Sequence, residues 1–227
     1  MISNILSLLI WIPILSGIIL YFYNRNEKIL NIYNVLINFF VLALSIFLLI
    51  NFKQDVEAFQ FIEKYNWINT LNIQYFLGVD GISTLLIILN TIIFFIVSIY
   101  NLNLKIDKRN QYYASFLIAN GLTIGVFSSL DAILFYIFFE ALLIPMFLII
   151  GIWGGANRIY ASIKFFIYTF FGSVLLLISF LYINSKISSF DINYLYDANF
   201  TLVEQEWLFI AMAIAFAIKI PMFPFHT

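Results

Sequence analysis

Apolar residues fill this chain in long runs, and short polar stretches separate them. The runs predict seven helices, roughly Ile2–Phe22, Ile29–Asn51, Ile82–Leu102, Tyr112–Ser129, Ala132–Gly151, Phe165–Ile183 and Trp207 to the last residue. The first six hold about 18–23 residues each, close to the ~20 that cross a hydrocarbon core of about 30 Å. The pattern therefore predicts an all-α, polytopic transmembrane bundle. Phe52–Gly81 and Asn184–Glu206 read as its two longest loops. In LGVDGIS, Asp80 and Ser83 read as the cap of the third helix. Trp67, Trp153 and Trp207 fall at the predicted membrane edges, where tryptophan anchors a helix at the headgroups.

Composition points the same way. The chain is 63% hydrophobic and 10% charged, with mean hydropathy +1.01, whereas a soluble domain is about half apolar and about a quarter charged. Lipid is its solvent, and it has no basic patch for nucleic acid. Cysteine is absent, which removes disulfides, thiolate metal sites and iron–sulfur ligation from this chain. One histidine and no glycine-rich phosphate loop leave no haem, flavin or nucleotide site. No metal or cofactor is expected here, so any redox chemistry belongs to a partner.

Charge sets the expected orientation. Arg25, Lys28, Lys105, Lys108, Arg109, Arg158 and Lys164 follow odd-numbered helices, while Lys53, Lys64 and Lys186 lie on the other side. The positive-inside rule then puts the N-terminus outside. Met1–Tyr23 lacks a basic leading segment and reads as a retained helix rather than a signal peptide.

Two charges sit inside apolar runs. Glu140 lies nine residues past Asp131 and Lys219 twelve past Trp207. At 1.5 Å per residue they lie about 13 Å and about 18 Å in from one face, near mid-membrane. A charge there costs roughly 2.5–3.5 kcal/mol on insertion scales, and such residues commonly mark an ion or proton path. A structural ion pair between two helices is the alternative. As a proton-handling pair they form a switch, because separating opposite charges alters the proton affinity of both. Prolines flank each charge. Pro145 has no N–H for the carbonyl of Ala141, and Pro221 and Pro224 have none for those of Ala217 and Ile220. The pattern predicts broken helices with free carbonyls, as ion-coupled transporters use. His226 is a candidate relay beyond Lys219. Lys164 either snorkels to the cytoplasmic face or joins a proton entry path. Tyr168, Thr169 and Ser173 on the same helix either hold water or bridge helices.

The strings FYIFFEALLIPMFLIIGIWGG, RIYASIKFFIYTFFGSVLLL and AFAIKIPMFPFHT, with LGVDGIS earlier, resemble the chain M subunits of respiratory complex I (NADH–quinone oxidoreductase). These are the counterparts of mitochondrial subunit 4. The resemblance implies an antiporter-like, proton-translocating membrane subunit of about fourteen helices, about seven of them present here. Residues 1–110 would carry helices one to three with a long external loop, and 111–227 the start of the first antiporter-like repeat. Glu140 then matches the family's fifth-helix glutamate, Lys219 the lysine of its broken seventh helix, and His226 the first histidine of the motif beyond it. The implied enzyme is the H⁺-translocating NADH:ubiquinone reductase, with FMN, iron–sulfur clusters and quinone held by partner subunits. The implied partners are the other membrane and peripheral subunits, lipid and protons. The implied location is a bacterial inner membrane or the mitochondrial equivalent. The chain stops at Thr227, inside the seventh predicted helix, so a fragment that does not pump alone is expected. A multi-subunit sodium/proton antiporter subunit and a non-transporting structural module are the rival readings.

Overall fold

The structure is a computed structural model that describes residues 4–23, 26–195 and 198–226. Arg25, counted above among the loop charges, and Thr227 lie outside the described residues. Helices dominate: α1 (Ile5–Phe22), α2 (Glu27–Asn51), α3 (Gly81–Tyr100), α4 (Arg109–Ser128), α5 (Ala132–Ala141), α6 (Leu143–Trp153), α7 (Arg158–Ile187), α8 (Ile192–Leu195) and α9 (Leu202–Lys219). Among the described residues, Ile5–Phe22, Glu27–Asn51, Gly81–Asn103, Ala132–Trp153 and Arg158–Ile187 are long and apolar enough to cross a membrane. The other two expected segments are helical as well. However, α4 carries asparagines and α9 carries Glu204, Glu206 and Lys219.

Two elements depart from the sequence reading. The stretch read as one long loop contains a two-stranded hairpin, β1 (Gln60–Ile68) and β2 (Ile73–Val79). Its turn is closed by Asn72 in the left-handed region, a conformation asparagine tolerates well. The sixth helix is longer than expected, 30 residues, so Lys164 lies within it rather than at its start.

The chain packs as two compact units, Met1–Lys64 with Leu77–Ser129, and Tyr65–Phe76 with Leu130–Thr227. In the first, α1 packs along α4 and α2 along α3. Gly17 and Gly121 make the α1–α4 approach close. A Cβ on Gly121 would lie 2.5 Å from the Ile10 carbonyl oxygen, and one on Gly17 2.8 Å from that of Ala114. Glu63, buried on β1, accepts the N–H groups of Leu6 (2.8 Å) and Ser7 (3.2 Å) and the Ser7 hydroxyl. It thus places a carboxylate on the first-turn amides of α1, which have no acceptor within the helix and where a negative charge is favourable.

Four buried asparagines tie α2, α3 and α4 together. Asn90 donates to Asn120 (2.8 Å), Asn120 to Asn38 (3.1 Å), and Asn38 to the Asn34 carbonyl (2.9 Å) and side chain (3.2 Å). Each amide meets another amide, so the polar groups are satisfied in an apolar interior. Such interhelical bonds contribute roughly 0.6–1.7 kcal/mol each in membranes. Asn120→Leu removes two of them and leaves Asn38 and Asn90 short of a partner. We expect it to lower the fraction of protein extracted in folded form by several-fold, measured by detergent extraction and thermal unfolding. Asn→Leu changes on lipid-facing positions should not have this effect.

The second unit holds α5 to α9. Asp131 caps α5 by accepting from Ile133 and Leu134 (both 3.0 Å), and it also accepts the Gln74 N–H (3.1 Å). Leu130 N–H donates to Phe76 and Ala132 N–H to Phe190, both at 2.8 Å. The start of α5 is therefore pinned on both sides, at Asp131, nine residues ahead of Glu140. At the start of α9, Thr201 and Glu204 form a capping box, and Lys186 of α7 lies 2.8 Å from Glu204. Further along, a Cβ on Gly172 would lie 2.8 Å from Ile218, so α7 and α9 meet closely beside Lys219.

Candidate proton-handling site

Both internal charges belong to the second unit, and the chain breaks next to each. The expected fifth span is present, Ala132–Trp153, and is interrupted at Leu142, three residues before Pro145, where α5 passes into α6 with Leu142 still in helical backbone angles. α9 ends at Lys219, and KIPMFP continues as turns. One expected free carbonyl is not free, because that of Ala217 accepts the N–H of Met222 (2.8 Å). The donor comes from five residues on, past the proline, so the broken helix closes with one wide turn.

Lys219 is half-buried and reaches α5. Its Nζ donates to the carbonyl of Phe139 (3.3 Å) and stands over the Phe139 ring, 3.8 Å from the centroid. The Glu140 carboxylate oxygens are buried and have no hydrogen-bond partner in the protein. The direct Glu140–Lys219 ion pair considered from the sequence is therefore not formed. The amine is held one residue short of the carboxylate by a ring and a carbonyl, and that residue carried no signal in the sequence.

A cavity of about 320 Å³ brings Lys219 together with Lys164 and His226. Tyr160, Tyr168 and Thr169 of α7 add polar groups to its wall, and Pro221 beyond α9 also lines it. Lys164 and His226 are exposed, and the His226 ring stacks on Phe223 at 5.6 Å. Tyr168 donates to the Phe225 carbonyl (3.2 Å), which ties the segment after α9 to α7. Thr169 and Ser173 donate to carbonyls of their own helix, at 2.6 and 2.8 Å. A larger cavity, about 500 Å³, lies on the α7–α9 seam, where Tyr182 and Glu204 line it, and it holds none of the candidate residues.

Gly172 and Phe139 are site residues that the sequence reading missed. A glycine inside a long helix costs about 1 kcal/mol against alanine and so calls for a packing reason, which was a usable signal for Gly172. No pattern marks Phe139 among so many aromatics.

Residues 129–227 match the family described as NADH:quinone oxidoreductase/Mrp antiporter, TM. The chain is 43% identical over 229 residues to NADH-quinone oxidoreductase subunit M of Rickettsia prowazekii (strain Madrid E), covering 98% of this chain and 47% of that protein. It is 38% identical over 223 residues to NADH-ubiquinone oxidoreductase chain 4 of Arabidopsis thaliana, covering 97% of this chain and 45% of the relative. A chain of respiratory complex I from Thermus thermophilus shares the fold, with a TM-score of 0.84 and 24% identity over 97% of this chain and 45% of that one. The chain spans about half the length of these relatives. Along nearly all of its length the chain is thus a relative of the first half of the subunit M and chain 4 proteins of NADH–quinone oxidoreductases, and residues 129–227 carry the antiporter-like family match.

Proposed function

We propose that this chain contributes the first proton-handling half-channel of an H⁺-translocating NADH–quinone oxidoreductase. The observation that carries the reading is Lys219. Its ammonium sits at a helix break, one residue from the buried carboxylate of Glu140, and faces a cavity that also meets Lys164 and His226. In this reading Lys164 lies on the entry side, Lys219 takes up and releases the proton, His226 passes it on, and Glu140 biases Lys219 as the helices move. A neighbouring charge changes proton affinity most where water is scarce, which gives a buried carboxylate its leverage.

The names of the relatives support the rest. The chain would act within a membrane assembly whose other subunits carry FMN, iron–sulfur clusters and quinone. Residues 111–227 would open the first antiporter-like repeat. Loop charge would set the N-terminus outside, in a bacterial inner membrane or its mitochondrial equivalent. The sodium/proton antiporter reading shares the family description and differs in the ion moved. The test is the assembled complex in liposomes, energised with NADH, with a pH dye and a sodium indicator read together. Proton movement that persists without sodium is expected. Sodium movement that proton conductors do not abolish would favour the antiporter reading.

A further inference from the structure

We propose that Phe139 is the holding site for the Lys219 ammonium, its ring face and its backbone carbonyl together keeping the charged amine beside, but not bonded to, Glu140. This rests on the proton-handling reading of Lys219.

Two contacts converge on one nitrogen. The carbonyl accepts at 3.3 Å, and the ring centroid is 3.8 Å away, well inside the ~6 Å over which a ring face attracts a cation. Both contacts favour a positive charge. A neutral amine keeps a weak hydrogen bond but loses the attraction to the ring quadrupole. The site therefore discriminates between the two charge states of Lys219, which a purely apolar wall would not do.

The ring is also held in place. Phe135, one turn earlier on α5, stacks on it at 5.4 Å, and Phe216 of α9 meets it edge-on at 6.3 Å. Phe216 lies three residues before Lys219, so one stretch of α9 carries both the edge that braces the ring and the cation that rests on it. The carbonyl belongs to the last turn of α5, just ahead of the break at Leu142. Movement of α9 along α5 would carry the amine off the ring, and the next acceptor in the chain is the unbonded carboxylate of Glu140. Phe139 is thus a positioning residue that acts through Lys219. Lys164, His226, Tyr160 and Tyr168 are the other charged or titratable groups that line the cavity.

The test uses the full-length subunit in the assembled complex. Phenylalanines with one, two and three ring fluorines at position 139 weaken the ring quadrupole stepwise at nearly constant shape. NADH-driven proton pumping should fall stepwise along this series, by roughly threefold to tenfold at its end. Phe139→Trp should retain pumping, and Phe139→Met, which keeps volume but has no ring, should match the trifluoro form. A flat fluorine series would overturn the proposal, as would full activity in Phe139→Met. Lys219→Ala measured alongside separates the two claims. Normal pumping in that variant would remove the proton-handling reading itself. Lost pumping there with a flat fluorine series would remove only the role of Phe139.

Discussion

Replacing Lys219 by alanine, or Glu140 by glutamine, in the full-length subunit should cut proton pumping at least about tenfold while the complex still assembles. The geometry supports both halves of that expectation. Glu140→Gln keeps the shape of the side chain and removes its charge. The Glu140 oxygens accept no hydrogen bond from the protein, so the change breaks no bond that holds helices together. A structural ion pair would behave differently, since removing one partner leaves a buried charge uncompensated, at a cost of about 3–5 kcal/mol. Lys219→Ala removes the amine from the Phe139 carbonyl and ring, and leaves the aromatic cluster of Phe135, Phe139 and Phe216 intact. Assembly of each variant can be read on native gels and pumping on vesicles from the same preparation. Loss of assembly in Glu140→Gln would show that the carboxylate serves the fold.

Gly121→Ala should be the most damaging single-methyl change in the first unit. A Cβ there meets the Ile10 carbonyl oxygen at 2.5 Å and the Ile14 side chain at 2.6 Å, with Pro13 3.1 Å away. The first of these neighbours is backbone and cannot rotate aside, so α1 and α4 must separate. Overpacking of this kind costs about 1–3 kcal/mol, and membrane helices depend on close approach because lipid gives no hydrophobic drive for pairing. Gly81→Ala is the matched control. Nothing lies within 4 Å of its Cβ position, so it should be neutral to slightly stabilising. Thermal unfolding of the two variants in one detergent should separate them clearly. Equal stability would mean that the α1–α4 crossing is looser than described.

The helices were legible because the bilayer imposes one strong rule, an apolar run of fixed length, and five described segments between Ile5 and Ile187 obey it. The cap at Asp80 was legible for a local reason: within one turn its carboxylate accepts the Ser83 N–H (2.7 Å) and its own N–H donates to the Ser83 hydroxyl (2.9 Å). The hairpin carried a readable signal, since QFIEKYNWI is rich in aromatic and branched residues, yet its polar content resembles a loop between spans. The asparagines of α2, α3 and α4 were visible as polar residues in apolar runs, but their mutual pairing depends on how three helices rotate against one another.

The site was legible in part. Depth counting placed Glu140 and Lys219 at comparable levels, and both lie in one unit next to helix breaks. The contact between them was not legible. Whether a lysine ends on a carboxylate or on the ring and carbonyl one residue earlier is decided by about 1.5 Å of rise along α5, finer than any count from a membrane edge. The carbonyl of Ala217 shows the same limit. Proline dictates which donor is missing, but the chain beyond it bent back and supplied another.

The most direct measurement is the number of protons moved per NADH oxidised by the assembled complex carrying Lys219→Ala, in sealed liposomes. A ratio clearly below that of the unsubstituted complex, at equal assembly, is the expected result. An unchanged ratio would contradict the assignment of Lys219 to the proton path.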